Sequence, residues 1–504
     1  MMEKFRKIQK ILVANRGEIA VRVIRACREL GIQSVAVYSD VDRNSLHVRM
    51  ADHAYALHGS LAAETYLNQD KLLRVAVESQ ADAVHPGYGF LSENSAFVEQ
   101  LERADIIFVG PTSSAIRVLG DKTEARKLAS KLGVPSVEGT LKPLDSVRDA
   151  MRYAEQVGFP ILLKAAAGGG GKGMRLVATM QELPSLLKSA KSEAKSAFGD
   201  DRVYIEKYLV NARHIEIQIL ADEQGNTTYL GERECSIQRR HQKIIEESPS
   251  TAIDEVIRKK MGEAAVTLTK AGGYSNAGTV EFLVDQSRSF YFLEMNTRLQ
   301  VEHPVTELVT GIDIVKEQIS VAAGNPLSCS QEDIVFRGHA IECRIYAEDP
   351  TNGFFPSTGF LRHYSVPQGP RLRADNGFEE GNEVSVYYDP MLSKIITWGM
   401  TRGEALDAMK RGLQEFEIQG VSSTISFCLF VLNHPKFIQG DFNTMFVEDF
   451  FDPKVLGSAD PAEMKAAATV AALMRSQNTR YTEHPHFATD GSRWKKLRTE
   501  TYRS

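Results

Sequence analysis

The sequence predicts an α/β protein whose C-terminal lobe is of the α+β type. Residues 10–120 alternate short apolar β stretches with helical stretches, which is typical of βαβ units around a parallel sheet. From His214 onward the β stretches lengthen, and the hairpin-like turns ADEQGN and DQSRS join them, which predicts an antiparallel sheet. At about 150 residues per domain, a chain of 504 residues has room for about three such lobes.

The N-terminal unit begins with a short buried strand, KILVAN, and continues into a helix within NRGEIAVRVIRACRELG. Ile19, Val23, Ile24 and Cys27 recur at helical spacing, and Gly31 is placed to end the helix. The next predicted strands are SVAVYSD, ADAVHPG and DIIFVGP. The turn after the first strand lacks the GxGxxG fingerprint, which argues against a nicotinamide-dependent dehydrogenase.

A second unit begins near Asp121 with the helix DKTEARKLASKLG. The strand FPILLKAA then leads into AGGGGKGMRLV, a helix follows over residues 182–197, and VYIEKYL is the next strand. The antiparallel sheet is predicted from HIEIQIL, NTTYLGERECS, GTVEFLV and SFYFLEMN. Beyond about residue 450, AEMKAAATVAALM predicts a surface-packed helix before a locally basic tail, with a docking segment for a partner subunit as the alternative.

Composition argues against several classes of protein. The 60 basic and 65 acidic side chains give a net charge of −5, which argues against nucleic-acid binding by bulk charge. No apolar run is long enough to suggest a transmembrane helix. The five cysteines are an odd number without a CxxC pair, so they indicate a reducing compartment and neither a zinc site nor a disulfide framework. Because the N-terminus also lacks the features of a signal or transit peptide, we expect a cytoplasmic enzyme.

The glycine run 168–171, followed by Lys172 and Gly173, is typical of a phosphate-binding loop. Because glycine has no Cβ, the backbone can approach a polyanion closely and its N–H groups can bind phosphate oxygens. The residue order is not that of a P-loop, and a flexible hairpin is the alternative interpretation. Lys164, on the strand that leads into the loop, favours a lid that closes over ATP.

Polar and apolar residues alternate in FYFLEMNTRLQVEHPVTE. If this chain stays extended, five polar side chains share one face: Glu294, Asn296, Arg298, Gln300 and Glu302. The apolar Leu293, Met295 and Leu299 then share the other face. The neighbouring strand GTVEFLV carries Glu281, which a hairpin would place beside Glu294, and two such carboxylates suit Mg²⁺ bound to ATP phosphates. A solvated edge strand is the alternative interpretation.

The basic run SIQRRHQKIIEE lacks the interleaved aromatic residues of a nucleic-acid site. Within an ATP site the same run would supply cations for a small anion and for a transferring phosphoryl group.

These ordered motifs resemble the biotin carboxylase component of biotin-dependent carboxylases, which belongs to the ATP-grasp superfamily. The resemblance spans about residues 8–450 and rests on ILVANRGEIAVRVIRA, HPGYGFLSEN, GDK, GGGGKGM, EKYL, ARHIEIQ, QRRHQK, EFL, EMNTRLQVEHPVTE and GHAIECRIYAEDP. One departure is Ala167, where the family commonly has another glycine. We expect only slight stiffening of the lid from it.

The resemblance implies an ATP-grasp fold in five parts. These are an N-terminal Rossmann-like domain over residues 1–120, a glycine-lid subdomain over 121–210, a C-lobe with the metal and bicarbonate site over 211–330, a C-terminal carboxylase domain over 331–450, and an extension over 451–504. The implied reaction is ATP-dependent carboxylation of N1′ of biotin by bicarbonate through carboxyphosphate.

The resemblance also implies the site residues. The expected ATP site contains Lys122, Lys164, Gly170, Gly171, Glu206, Lys207, Tyr208, Leu209, His214, Gln238, His241 and Leu283. The expected ligands of two Mg²⁺ or Mn²⁺ ions are Glu281, Glu294 and Asn296. The expected bicarbonate and biotin site contains Lys243, Arg298, Gln300, Val301, Glu302, Arg344 and Tyr88. Within it, Lys243 and Arg298 surround bicarbonate, Glu302 is the expected base, and Arg344 stabilises the biotin enolate oxygen, with a structural salt bridge as the alternative for Arg344.

The chain shows no lysine suited to carry biotin. Lys410 follows an Ala-Met pair, but Leu406, Met409 and Leu413 fall at helical spacing around it, and the Met-Lys pair ending at Lys465 fails for the same reason. We therefore expect the biotinyl carrier protein and the carboxyltransferase on separate chains, and a homodimer, as is common in the family. The final acceptor is left open among acetyl-CoA, propionyl-CoA and pyruvate. The alternative functions are another ATP-grasp carboxylate–amine ligase and a non-catalytic nucleotide-binding protein.

Overall fold

The computed structural model describes residues 6–140, 142–166 and 174–457, together with 465, 466, 469, 470, 472 and 473. The chain divides into two compact units, Met1–Pro453 and Lys454–Ser504. The predicted phosphate loop, from Ala167 to Gly173, lies outside the described residues, and so does most of the predicted C-terminal helix. None of the helices in the described part of the chain is both long and apolar enough to cross a membrane.

The first part of the larger unit is a five-stranded parallel sheet, as the sequence predicts. Its strands are β1 (Lys10–Val13), β2 (Gln33–Tyr38), β3 (His53–Ala56), β4 (Ala83–His85) and β5 (Ile107–Phe108), in the order β3-β2-β1-β4-β5. Its helices are α1 (Gly17–Glu29), α2 (Leu46–Met50), α3 (Gln69–Glu78), α4 (Ser95–Arg103) and α5 (Ser113–Gly120). Strand β3 was not predicted from the sequence, because its HAYA segment is half-exposed and carries no apolar run.

The second part is a small antiparallel sheet packed against helices. Its elements are α6 (Lys122–Lys131), α7 (Val147–Val157), β6 (Ile161–Ala165), β7 (Arg175–Val177), α8 (Leu183–Phe198) and β8 (Val203–Lys207), with the strand order β7-β6-β8. Leu163 and Ile205 pair across β6 and β8 and are fully buried in the local core. Strands β6 and β7 are antiparallel neighbours, with Ile161 opposite Val177.

The third part is built on an eight-stranded sheet of antiparallel neighbours. Its strands and helices up to the start of the C-terminal segment are β9 (Arg213–Ala221), β10 (Thr227–Arg239), β11 (Gln242–Ser248), α9 (Glu255–Ala271), β12 (Asn276–Val284), β13 (Phe290–Asn296), α10 (His303–Thr310), α11 (Ile314–Ala322) and β14 (His339–Tyr346). The predicted hairpin between β12 and β13 is confirmed. Strand β12 is buried along almost its whole length, so the sheet is covered on both faces.

The C-terminal segment of the larger unit extends this same sheet. Its strands are β15 (Glu348–Asp349), β16 (Phe355–Pro356), β17 (Gly359–Phe360), β18 (His363–Ser365), β19 (Leu372–Asn376), β20 (Glu383–Val384), β21 (Met391–Gly399) and β22 (Glu417–Gln419). Its helices are α12 (Arg402–Glu415), α13 (Ile425–Asn433), α14 (Pro435–Ile438) and α15 (Phe446–Phe450). The full sheet order is β13-β12-β9-β10-β11-β14-β21-β19, so one sheet runs through residues on both sides of position 330.

Short 3₁₀ turns complete the described elements, at Asp40–Asp42, Ala62–Glu64, Gln331–Asp333, Pro350–Asn352 and Pro453–Leu456.

In α12, the side chains of Leu406, Met409 and Leu413 are buried against the sheet, and Lys410 is half-buried. This confirms the expectation that Lys410 lies in an amphipathic helix and not in a biotinyl hairpin.

Candidate active site

Strands β12 and β13 place two carboxylates directly opposite each other. Glu281 and Glu294 are paired in the antiparallel register, as the sequence predicts. Glu281 accepts hydrogen bonds from Lys243 Nζ and Asn296 Nδ2, both at 2.8 Å, and its other oxygen lies 2.9 Å from His214 Nε2. Burial opposes the charge of Glu281, but Lys243 and His214 outweigh it and hold the pKa of this carboxyl well below its ordinary value. Glu281 is therefore ionised.

The oxygen atoms of Glu281 and Glu294 fit a hard divalent cation. Each carboxylate already contacts a lysine, Glu281 through Lys243 and Glu294 through Lys122 at 2.6 Å, so this edge of the sheet attracts positive charge. The amide of Asn296 has a supporting position, because its nitrogen donates to Glu281 while its oxygen accepts from Arg298 at 3.2 Å.

Lys243 on β11 is the central cation of the site. Its Nζ lies 2.6 Å from Glu216, 2.8 Å from Glu281 and 2.7 Å from Glu302, and its side chain is 11% exposed. Burial alone would lower the pKa of Lys243, but the surrounding acidic groups raise it well above its ordinary value. The ammonium is thus charged, and it holds three carboxylates at one point.

Glu302 precedes α10 and is fully buried between two cations. One carboxylate oxygen accepts from Lys243 at 2.7 Å, and the other accepts from Arg344 Nη2 at 2.9 Å. Burial opposes ionisation, yet Lys243 and Arg344 hold the pKa of Glu302 well below its ordinary value. An ionised carboxylate in this position is able to accept a proton from a bound substrate.

The expectation that residues 294–302 form one extended strand is wrong. β13 ends at Asn296, and a shift in register beyond the Glu281–Glu294 pair leaves Leu293 half-exposed, whereas Phe292 and Met295 are buried. The chain then turns and enters α10 immediately after Glu302. The polar side chains still meet, because Arg298 donates to Asn296 and Gln300 within the turn and Lys243 contacts both Glu281 and Glu302.

Arg298 is fixed within this turn by several acceptors. Its guanidinium donates to Glu93 at 3.0 Å and to Gln300 Oε1 at 3.0 Å. Glu93 also accepts from the backbone N–H of Thr297 at 2.9 Å. Gln300 is buried, and its Nε2 has no hydrogen-bond partner among the described residues. One amide donor therefore remains for a ligand.

Strands β6 and β8 place further expected ATP residues near one another. Lys164 Nζ lies 2.5 Å from Glu206, and Arg126 binds the same carboxylate. The carboxylate of Glu206 therefore holds two cations in place. Burial opposes the negative charge of Glu206, but Lys164 and Arg126 outweigh it and lower the pKa of this carboxyl. Lys207 Nζ donates to the carbonyls of three residues at the end of α7, Val157, Gly158 and Phe159, at 3.2, 2.9 and 3.1 Å.

The remaining expected nucleotide contacts line neighbouring strands. Leu283 and His214 are opposite partners on β12 and β9, and Gln238 Nε2 lies 3.4 Å from His214 Nδ1. Tyr208 and Leu209 follow β8, and their side chains are half-buried. The exposed His241 lies in the two-residue turn between β10 and β11. Gly170 and Gly171 lie outside the described residues.

Tyr88 is connected to the site through buried charges. Its hydroxyl donates to Glu18 at the start of α1, and Glu18 lies 3.4 Å from Lys394 Nζ. Lys394 in turn donates to the carbonyl oxygen of Val301 at 2.7 Å, next to Glu302. The N-terminal sheet region and strand β21 thus meet at the same turn.

Several residues of this cluster were not predicted from the sequence, namely Glu18, Glu93, Arg126, Glu216, Arg233, Glu246 and Lys394. A signal existed for Glu216, which is opposite Glu281 in the register and alternates with apolar residues in HIEIQIL. Arg233 binds Glu216 and donates to Gln218 at 2.7 Å. These contacts extend the buried polar cluster from Glu216 to Arg233 and Gln218.

Comparison with known proteins shows matches along most of the chain. Residues 7–116 match the family described as "Biotin carboxylase, N-terminal domain", residues 121–330 match "Carbamoyl-phosphate synthase L chain, ATP binding domain", and residues 342–449 match "Biotin carboxylase C-terminal domain". Biotin carboxylase 1 of Bacillus subtilis is 52% identical over 452 residues, which cover 90% of this chain and 100% of that protein.

Two further similar proteins are named for different carboxylated substrates. The propionyl-CoA carboxylase alpha chain of Ruegeria pomeroyi is 49% identical over 495 residues, covering 94% of this chain and 73% of that protein. The crystal structure of the biotin carboxylase domain dimer of 2-oxoglutarate carboxylase from Hydrogenobacter thermophilus, in complex with MgADP, ADP and bicarbonate, has a TM-score of 0.88 and 46% identity. That likeness covers 90% of this chain and 99% of the other.

Proposed function

This chain belongs to the biotin carboxylase family, and we propose that the cluster around Lys243, Glu302 and Arg344 is its active site. The protein is an ATP-dependent ligase that uses bicarbonate to carboxylate biotin, with ATP and Mg²⁺ as cofactors. The observation that carries the site assignment is the buried Glu302 carboxylate, bound by Lys243 on one oxygen and by Arg344 on the other.

We assign the bicarbonate site to Lys243, Arg298, Gln300 and the backbone of Val301. Two cations favour a small anion, and the unpartnered Nε2 of the buried Gln300 supplies a donor for one of its oxygens. Glu302 is the base, because its carboxylate is ionised and takes the proton that bicarbonate gives up on becoming a nucleophile toward ATP.

We assign biotin binding to Arg344 and Tyr88. Deprotonation of the ureido nitrogen places negative charge on the biotin oxygen, and a fixed guanidinium stabilises that charge most where water is excluded. Arg344 is 8% exposed and is held by carboxylates, so it needs little reorganisation during the reaction.

We assign the nucleotide end of the site to Lys122, Lys164 and His241, with the adenine between residues 206–209 and Leu283. Since the carboxylate of Glu206 holds Lys164 and Arg126, we propose that residue 206 meets adenine through its backbone. Glu281 and Glu294, supported by Asn296, would hold Mg²⁺ (or Mn²⁺), which would neutralise negative charge on the ATP phosphates.

We propose the domain division at residues 120, 210, 330 and 450, and a separate biotinyl carrier protein and carboxyltransferase as partners. An acyl-CoA is the proposed final acceptor, because the match to the propionyl-CoA carboxylase alpha chain covers 94% of this chain and the match to the 2-oxoglutarate carboxylase domain covers 90%. A homodimer is proposed from the dimeric structure of that domain. The free thiols of all five cysteines support a reducing compartment, the cytoplasm.

The reaction is tested by ATP hydrolysis with purified protein, MgATP, bicarbonate and free biotin. We expect hydrolysis that requires bicarbonate and is stimulated by biotin. ATP hydrolysis that is independent of biotin and requires an amine would instead indicate a carboxylate–amine ligase. Tight ATP binding without hydrolysis would indicate a non-catalytic nucleotide-binding protein.

The partners are tested by co-purification from the native cell. We expect a biotinylated protein and an acyl-CoA carboxyltransferase to accompany this chain. Recovery of a transferase that carboxylates pyruvate or another 2-oxo acid would contradict the proposed acceptor.

A further inference from the structure

Two buried carboxyl groups lie behind Arg344, and the reaction described above does not use them. Glu246 on β11 and Glu342 on β14 are directly opposite partners in the antiparallel register, and both side chains are 0% exposed. Opposite residues on antiparallel strands point to the same face with Cβ atoms about 5 Å apart. Arg344 Nη2 lies 2.6 Å from Glu246 and 2.9 Å from Glu302. The guanidinium is thus bound between the proposed base and a second, deeper carboxyl group.

The same strand presents Lys243 and Glu246 to this cluster. The pairing of β10 with β11 shifts register between Ile237–Ile245 and Gln238–Lys243, which inserts one extra residue into β11. An insertion of one residue reverses the side-chain alternation, so Lys243 and Glu246 share a face although they are three residues apart. Glu246 therefore belongs to the layer of charges that surrounds Glu302.

This carboxyl pair has too few partners for two full negative charges. None of the oxygens of Glu246 and Glu342 makes a hydrogen bond of good geometry among the described residues, although Arg344 forms an ion pair with Glu246. Two neighbouring buried carboxyl groups with one shared cation cannot both ionise without a large cost, so a proton is retained. The charged and titratable groups that face the pair are Lys243, Glu302, Arg344, Lys394, Cys235 and Cys343.

The acidities of the two groups agree with this geometry. Burial raises the pKa of Glu246 to about 7 and Glu302 adds to the rise, although Arg344 and Lys243 oppose it. Burial also raises the pKa of Glu342 well above its ordinary value, against the attraction of Lys394 and with the repulsion of Glu246.

We propose that Glu246 is a positioning residue for Arg344, and that Glu246 and Glu342 together retain one proton. This inference rests on the proposed role of Arg344 toward biotin. When Glu302 accepts a proton from bicarbonate it loses its charge, and its attraction for Arg344 weakens. Glu246, on the other side of the guanidinium, then keeps Arg344 in place for biotin. Once Glu246 itself is protonated, Arg344 loses this second anchor.

The test is the pH dependence of kcat/KM for free biotin, measured with wild type, Glu246→Gln and Glu342→Gln across the neutral range. Wild type should lose biotin-dependent activity as the pH falls through about 7, because Glu246 becomes neutral. Glu246→Gln is neutral at every pH, so its kcat/KM for biotin should be lower by up to about 10²-fold even at alkaline pH, with KM for MgATP unchanged. Glu342 holds the retained proton in this pH range and glutamine is likewise neutral, so Glu342→Gln should keep the acidic loss of activity near the wild-type pH.

A matched control is Glu247→Gln, the next residue on β11. Glu247 is 1% exposed and binds His339 at 2.7 Å and Arg402 at 2.6 Å, away from Arg344. This variant should lower the melting temperature but keep the wild-type shape of the pH profile.

Wild-type kcat/KM for biotin in Glu246→Gln at alkaline pH overturns the inference. A loss of activity that moves to lower pH in Glu342→Gln also overturns it, because an ionised Glu342 would then repel Glu246. If Glu246→Gln does not fold, the wild-type profile decides the question, because biotin-dependent activity that stays constant through about pH 7 overturns the inference. A wild-type protein without bicarbonate- and biotin-dependent ATP hydrolysis would refute the proposed function itself, whereas an active wild type with an unaffected Glu246→Gln variant refutes only this inference.

Discussion

Glu281 and Glu294 are directly opposite each other on neighbouring strands, yet each carboxylate is bound to a different lysine. Lys243 contacts Glu281 at 2.8 Å from β11, and Lys122 contacts Glu294 at 2.6 Å from the first turn of α6. The two acids therefore join the second and third parts of the fold, and a divalent cation held by them would take over attraction that the lysines supply. This pair would couple the proposed bicarbonate end of the site to the proposed nucleotide end.

Replacement of Glu281 by alanine should weaken the productive use of MgATP. One oxygen ligand is lost and Lys243 loses one of three carboxylates, so the Mg²⁺ concentration for half-maximal ATP hydrolysis should rise by at least about tenfold. A titration of activity against Mg²⁺ at fixed ATP measures this. Glu263→Ala, at a site 61% exposed on α9, is the control and should titrate as wild type. Full activity of Glu281→Ala at limiting Mg²⁺ would exclude a ligand role.

Glu302→Gln should abolish biotin-dependent turnover while it spares ATP binding. Glutamine keeps the shape but cannot accept the proton, and loss of general base catalysis costs about 10²–10⁴-fold in rate. Turnover is measured by biotin-stimulated ATP hydrolysis, and binding by titration with a non-hydrolysable ATP analogue. Unchanged biotin carboxylation would contradict the assignment of Glu302 as the base.

Arg344→Ala should lower kcat for biotin carboxylation by about 10²–10³-fold, because a fixed donor to the developing oxyanion is removed. Lysine at this position should restore little, since it cannot bind Glu302, Glu246 and a biotin oxygen at once with a planar fork. Steady-state kinetics with free biotin gives the values. Arg337→Ala, an exposed position before β14, should behave as wild type. Equal losses in the two variants would show that Arg344 has only a general structural effect.

Asp42→Asn should destabilise the N-terminal sheet region by roughly 3–5 kcal/mol, because it leaves the Arg16 guanidinium without its buried partner. Asp42 accepts from Arg16 at 2.7 and 2.8 Å and from Tyr66 at 2.7 Å. Urea unfolding followed by far-UV circular dichroism measures the change. The exposed Asp70→Asn in the first turn of α3 is the control, with an expected change below about 0.5 kcal/mol.

The same pair predicts a dependence of stability on pH. Burial opposes the charge of Asp42, but Arg16 outweighs it and keeps the pKa of Asp42 below its ordinary value. A depressed folded-state pKa contributes stability above the unfolded pKa of about 3.9, and this contribution is lost as the pH falls further. The difference in the free energy of unfolding between wild type and Asp42→Asn should therefore be constant near neutral pH and should become smaller below about pH 4. A difference that becomes smaller near neutral pH instead would show that another group is responsible.

The sequence alone determined the class of the fold and the pairing of Glu281 with Glu294. Strand and helix periodicity predicted the parallel and antiparallel sheets, because side-chain burial imposes the same repeat on the sequence that it imposes on the backbone. The Glu281–Glu294 pair was also predictable, since a short hairpin leaves few possible registers.

Only the tertiary structure decided how the remaining groups meet. Glu93, Glu216, Glu246 and Lys394 come from distant segments, and no local period indicates which buried carboxylate will face which cation. The turn after Asn296 shows the same limit, because alternation predicted an extended strand where the chain bends into α10. The local period of apolar residues indicates which side chains are buried. The partners of buried charges depend on the packing of strands that lie far apart in sequence.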